Sequence, residues 1–332
     1  IGLGGGVGSL SRWTAGGDKK YLDEVFSTVL YDGTGASHQI TNDIDLSGEG
    51  GLVWLSGREG YGTPINNRWY NTESGVTKSL SSVSTAAEET GLSNHISFNS
   101  DGFTLGTGNN GIMNSSGGSG TRYVSYTFRK CEKFFDIVKY SGNGGNNRSI
   151  DHDLNCTVGC IMVKRLDATQ DWIIYHRGNT KNAAGSAVDP ESQILKFTTD
   201  DTETETSAWA NTEPTSSVFY VSNFAGTNAS GGEYIAYLFA HNDGDGEFGN
   251  NRNADIIKCG SYDGNSSPPN DVDLGFQPQF IIQKNSTTDT SGTWNTLDTV
   301  RGIRTNGYDA YIRANNSNDE TYSSDFIDVL PD

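Results

Sequence analysis

Phe135-Asp136-Ile137-Val138-Lys139-Tyr140-Ser141-Gly142-Asn143 decides how this chain is read, because the stretch occurs three times in altered form. Its later counterpart is Asp255-Ile256-Ile257-Lys258-Cys259-Gly260-Ser261-Tyr262-Asp263-Gly264-Asn265, and its earlier one is Val25-Phe26-Ser27-Thr28-Val29-Leu30-Tyr31-Asp32-Gly33-Thr34-Gly35. Each is a β-branched and aromatic run that ends in Gly and Asn or Asp, the pattern of a strand entering a turn. A short strand ending in Leu follows each copy: Ile44-Asp45-Leu46, Ile150 to Leu154, and Val272-Asp273-Leu274. A more apolar strand comes next, at Leu52 to Leu55, Cys160 to Lys164 and Phe280 to Lys284, and then a Trp, at 69, 172 and 294. Tyr31, Tyr140 and Tyr262 stand 109 and 122 residues apart, so the repeating unit is a little over a hundred residues and the repeat sets the architecture.

The end of the unit repeats as well, since Tyr123-Val124-Ser125-Tyr126-Thr127-Phe128 matches Tyr234-Ile235-Ala236-Tyr237-Leu238-Phe239. Alternation of this kind puts one side-chain set in a core and the other on a neighbour or in solvent. Polar segments from Gly106 to Gly120 and Asn242 to Asn253 read as long loops or linkers. Helical periodicity is scarce, with one or two turns expected at Ser84 to Gly91, and 42 glycines suit turns better than helices. The expectation is an all-β chain of tandem β-sandwich modules, jelly-roll or lectin-like, with long Gly/Asn/Asp-rich loops. The boundaries are a lead-in over 1–24, a first module over 25–130, a second over 131–253 and a third over 254–332. Glu89-Thr90 and Asp101 align without gaps on Glu320-Thr321 and Asp332, so the third module stops in mid-repeat and the natural polypeptide is expected to continue.

Composition excludes several functions. No apolar run approaches the roughly 18 residues of a membrane-spanning helix, so membrane insertion is not expected. A net charge of −18 without a Lys/Arg cluster offers no counterion-releasing surface, so nucleic acid is not an expected partner. The chain opens on Ile1 with a Gly-rich stretch, Gly2 to Gly8, that fits no phosphate-binding spacing and reads as a flexible lead-in. Cys131, Cys156, Cys160 and Cys259 are too sparse for a disulfide scaffold and lack the partners of a zinc site, with a bridge at Cys131 or Cys156 left open. Cys160 reads as a buried small hydrophobe.

No motif supplies a catalytic residue. Asp32-Gly33-Thr34-Gly35 resembles the aspartic protease triplet, but its repeat counterparts keep the turn residues and lose the acid, so it is a turn. His152 between Asp151 and Asp153 is the most catalytic-looking cluster and reads as solvent-facing or satisfied. Asp243, Asp245 and Glu247 alternate on a Gly-flexible loop and are the candidate ligands of a Ca2+ ion, the one cofactor considered. Acidic stretches from Asp18 to Glu24 and Asp200 to Glu205 read as solvated surface. Sugar rings stack on aromatic faces, and Trp69, Tyr70 and Trp209 are the candidate glycan-binding residues; Trp69, Trp172 and Trp294 fit a module core better, and Trp209 is the one expected to be exposed.

Taken together, these segments resemble a family of repeated modules in tail and tail-fibre proteins of marine bacteriophages. The resemblance runs from about Phe26 to the end and rests on Phe134 to Gly144, Gly159 to Arg165 with Asp171 to Arg177, Tyr234 to Ala240, Ile257 to Tyr262, and Ser97 to Phe103. It implies a virion or extracellular location and a structural or host-adsorption role without an enzyme activity. The implied partners are other virion proteins, a bacterial surface glycan and further copies of the chain in a homo-oligomer. A glycan-degrading tail enzyme and a purely architectural fibre component are the other readings. The first unit departs from the pattern at Leu52 to Leu55 and at Gly60-Tyr61-Gly62, which marks its surface as specialised.

Overall fold

In a computed structural model, the structure describes residues 1–4, 20–59, 67–109, 112–116, 122–197, 203–205, 207–265, 270–286, 293–303, 307–322 and 327–329. The fold is all-β, built from antiparallel sheets with only three single-turn 3-10 helices among the described residues. Ser84 to Gly91 forms no helix: the segment crosses to the second module, where Gln170 N–H donates to the Thr85 carbonyl and Glu88 N–H to that of Leu166, so its backbone groups are taken. Gly60-Tyr61-Gly62 lies outside the described residues, as do Asp200 to Thr202 and Asp18 itself.

The first module's main sheet has an opening strand Phe26–Asp32, a closing strand Arg122–Arg129, a second strand Gly51–Gly57 and a third strand Asn67–Asn71, in that spatial order. The second module repeats the order with Phe135–Ser141, Glu233–Ala240, Val158–Arg165 and Ile173–His176. Both second strands are buried on both faces, which is why they read as continuous apolar runs rather than alternations. In the first module, Val53, Leu55, Tyr70 and Tyr123 pack against a smaller sheet made of His38–Thr41, Gly102–Leu105 and Ile96–Asn99. The opposite face, with Trp54, Trp69, Tyr126 and Phe128, enters a core shared by all three modules.

Aromatic contacts close the modules on one another. Trp69 of the first lies 4.8 Å from Trp172 of the second, Phe197 of the second 5.2 Å from Trp294 of the third, and Phe280 of the third 4.7 Å from Tyr126 of the first. The repeats therefore form a triangle with a common centre rather than a row of beads.

The third sheet has the order Ile257–Lys258, Gly2–Gly4, Pro278–Lys284, Trp294–Asp298, Ala310–Arg313, Thr321–Tyr322. Gly2–Gly4 occupies the closing-strand position. Leu3 pairs with Ile257 and Phe280, as Phe239 pairs with Phe135 and Cys160, and the ladder slips after Leu3 just as it slips beside Val158 in the second module. The expected flexible lead-in thus begins with a structural strand. Leu3 is fully buried, and a Cβ on Gly4 would stand 2.0 Å from the Gln277 carbonyl, so apolar bulk at one position and none at the next suit this slot.

Candidate functional site

Two outer corners of the molecule are built alike. Tyr31 and Tyr123 stack at 5.1 Å in the first module, and Tyr140 and Tyr234 at 5.3 Å in the second. Tyr31 Oη donates to the Met113 carbonyl at 2.8 Å and Tyr140 Oη to the Thr227 carbonyl at 2.7 Å. The next residue in each case is a fully buried Asn. Asn114 Oδ1 accepts from Thr34 N–H, and Asn228 Oδ1 from Asn143 N–H. Gly33 and Gly142 have no room for a side chain, since a Cβ would stand 2.1 Å from the Ser115 and Ala229 carbonyls. The Asp32 to Gly35 segment is thus a turn held by an asparagine plug. That plug comes from the stretch that reads as a linker, because one Asn among many polar residues carries no local sign of burial.

The predicted glycan residues do not form a site. Trp69 and Tyr70 are fully buried, and Trp209, the residue expected to be exposed, is 1% exposed with its indole N–H donating to the Gln193 carbonyl at 3.1 Å. Its polar neighbours hid this: Trp209 packs edge-on to Tyr175 in the second module's core, a contact between distant stretches of chain. Trp172 and Trp294 are core residues as expected.

The acidic loop is bridged by lysines. Asp243 Oδ1 lies 3.0 Å from Lys258 Nζ, while Asp245 and Glu247 stand 3.7 and 3.8 Å from Lys133 Nζ. Asp255 caps the loop by accepting from Gly244 N–H and Gly246 N–H. No group of His, Cys, Asp or Glu among the described residues is placed to hold a metal ion. The four cysteines are free thiols, and Cys160 is buried.

His152 is buried rather than solvent-facing; its Nδ1 accepts from Leu154 N–H, and burial depresses its pKa. His176 accepts from Gly178 N–H, and burial, reinforced by nearby positive groups including Arg177, pushes its pKa down to about 3. Lys164, in the middle of the second module, donates to the Thr85 and Gln170 carbonyls at 2.9 and 2.5 Å, and burial lowers it to about 8.

A charged network missed by sequence reasoning joins the third module to the first. Arg301 and Asp298, both fully buried, pair at 2.5 Å, and Tyr126 Oη donates to Asp298 at 3.0 Å. Arg58 pairs with Glu320 at 2.6 Å on the same side of the interface. The i,i+3 spacing of Asp298 and Arg301 was the available signal, but it is commonplace on surfaces. These groups neutralise one another and leave no free acid, base or nucleophile among them.

A family model described as "Domain of unknown function (DUF7483)" matches residues 23–332. The chain belongs to this family. The matched span takes in the opening strand of each module and begins after Gly2–Gly4. No curated protein and no solved structure matches the chain. No helix among the described residues is long and apolar enough to cross a membrane.

Proposed function

We propose that this DUF7483 chain is a non-catalytic structural component of a phage tail or tail fibre, which presents its polar loops to a bacterial surface glycan. The observation that carries the reading is the joint aromatic core: Trp54, Trp69, Trp172 and Trp294 pack three modules around one common core, while the acidic loop exposes Asp243, Gly244 and Asp245. The family resemblance supports the virion location. With Trp69, Tyr70 and Trp209 inside, stacking on a sugar falls to Tyr308 and Tyr322, which are 68% and 53% exposed beside the strand Ala310–Arg313.

A glycan array and a whole-cell binding assay, with and without EDTA and with mass spectrometry of the bound sugar, test the proposal. Binding that leaves the glycan intact and survives EDTA is the expected result, because Lys133 and Lys258 already balance the acidic loop. Loss in EDTA would restore a Ca2+ role for Asp243, Asp245 and Glu247, and a shortened glycan would replace adhesion by catalysis. Absence of any binding would leave a purely architectural part.

A further inference from the structure

The main sheet of each module ends on its opening strand, and the three free edges differ. In the first module, Arg129 N–H donates to the Val25 carbonyl, so the odd-numbered residues of Phe26–Asp32 face the closing strand. Strand alternation then aims the backbone groups of Phe26, Thr28, Leu30 and Asp32 away from the sheet. In the second module the matching groups are capped. Phe135 exchanges two bonds with Cys131, Ile137 N–H donates to Asp136 Oδ1, the Ile137 carbonyl accepts from Lys130 Nζ, and the Ser141 carbonyl accepts from Arg148. In the third, the Ile257 carbonyl accepts from Asn242 N–H, Ile257 N–H donates to Asn242 Oδ1, and Cys259 N–H donates to His241 Nδ1.

The first module has no such cap. Among the described residues, the backbone groups of Phe26, Thr28, Leu30 and Asp32 have no hydrogen-bond partner. Charge is missing from the edge too: the registers Phe26↔Phe128 and Phe135↔Phe239 set Ser27 and Leu30 where the second module carries Asp136 and Lys139. Phe26 to Tyr31 is therefore an uncharged edge without Pro, half-buried from Ser27 to Leu30, and such an edge is a template for a further strand. Its ends are acidic, with exposed Asp23 and Glu24 before it and exposed Asp32 closing it.

We propose that Phe26–Asp32 is a docking edge for an extended strand of a partner polypeptide, uncharged in its middle and basic at both ends. Backbone bonds to the four outward residues give affinity, and the charged ends give specificity. The strand on the other side of Phe26–Asp32 already meets these acids in that way. Arg122 lies opposite Asp32, and Arg129 opposite Val25 next to Glu24, with six uncharged residues between them. A second copy of Phe26–Asp32 fits poorly, because antiparallel pairing about Val29 sets the Asp32 end of each copy against the Asp23-Glu24 end of the other. Ile1 bonds Ile282, and Val329 packs with the cluster of Leu297 and Tyr311, so both described ends of the chain lie in the third module and off this edge. Strand addition here uses none of the residues named for glycan adsorption.

The test follows hydrogen exchange at the Thr28 and Leu30 amides of the full-length natural polypeptide, alone and with acetylated, amidated Arg-Thr-Val-Thr-Val-Thr-Val-Arg. Both amides are expected to exchange freely in the polypeptide alone and to gain protection as the peptide is added. A peptide with Glu at both ends is expected to bind at least about tenfold more weakly, and one with Pro at its third and fifth positions not to bind, since it lacks the ladder N–H groups. Ser27→Asp with Leu30→Lys, which copies the second module's strand, should weaken binding about tenfold. Thr28→Pro should abolish it while leaving the chain folded, because the Thr28 N–H faces away from the module's own ladder. Protection of Thr28 and Leu30 before any peptide is added overturns the proposal: if independent of concentration, in favour of a strand from the same chain, and if it grows with concentration, in favour of a second copy. Absence of binding, or equal binding by the Glu-ended or Pro peptide, overturns it outright.

Discussion

The indole N–H of Trp172, in the second module, donates to the Ser81 carbonyl of the first at 3.1 Å, and the same bond recurs one module on, where Trp294 donates to the Lys196 carbonyl at 2.9 Å. Repeated tryptophans thus serve as staples between successive modules as well as core. Replacing Trp172 with Phe keeps an aromatic ring but removes the donor and leaves the part-buried Ser81 carbonyl without it. The expected cost is about 1–3 kcal/mol, read as a lower urea midpoint at unchanged m-value.

Leu3 fills the place that Phe239 fills in the second module. Leu3→Ala should destabilise the chain by about 2–5 kcal/mol, the range for emptying a buried leucine site. Gly4→Ala should also be destabilising, through the contact its Cβ makes with the Gln277 backbone. Thermal unfolding of both variants checks this. Wild-type stability in both would show that Gly2–Gly4 leaves the sheet in solution.

Asp298 and Arg301 are fully buried and paired at the junction of the third and first modules. Asp298→Ala strands the guanidinium in the interior, and the expected loss is about 3–5 kcal/mol. Replacing both by apolar residues of similar volume should recover most of it. Denaturation of the single and double variants separates the two cases.

Acid stability should follow His176. It stays neutral in the fold down to about pH 3, whereas the unfolded chain takes up that proton near the ordinary histidine pKa of about 6.5. The unfolded state binds more protons between those values, so stability falls as pH drops through this window. His176→Gln, which retains an acceptor for Gly178 N–H, should flatten that part of the urea midpoint against pH profile.

Lys164 should act at the alkaline end. Its folded pKa of about 8 lies below the unfolded value of about 10.4, so the unfolded state holds the extra proton between them and stability gains from this group as pH rises from 8. The buried tyrosines and Cys156, whose pKa values burial raises, oppose this trend. The informative quantity is therefore the difference between the wild type and Lys164→Met between pH 8 and 9.5: the wild type should gain relative to the variant.

Much of the architecture was legible in the chain. The recurrence of Phe135 to Asn143, the paired Tyr-x-x-Tyr strands and the Gly/Asn turns point to repeated antiparallel sheets because strand period and turn chemistry are local properties. The same locality explains the misreadings. Trp209 looked exposed because its sequence neighbours are polar, although what buries it includes Tyr175, more than thirty residues away. Asn114 looked like linker because its burial depends on Thr34.

The sequence by itself determined the β class, the length of the repeat and the turns that end each opening strand, all of which follow from side-chain alternation and backbone preference within a few residues. Only the tertiary structure decided that the modules close into a triangle, that Gly2–Gly4 completes the third sheet, and that Asp243, Asp245 and Glu247 face lysines. Those outcomes depend on which surfaces exclude water together and which charges meet across the fold, and contacts between residues up to 281 positions apart leave no periodic mark on the chain.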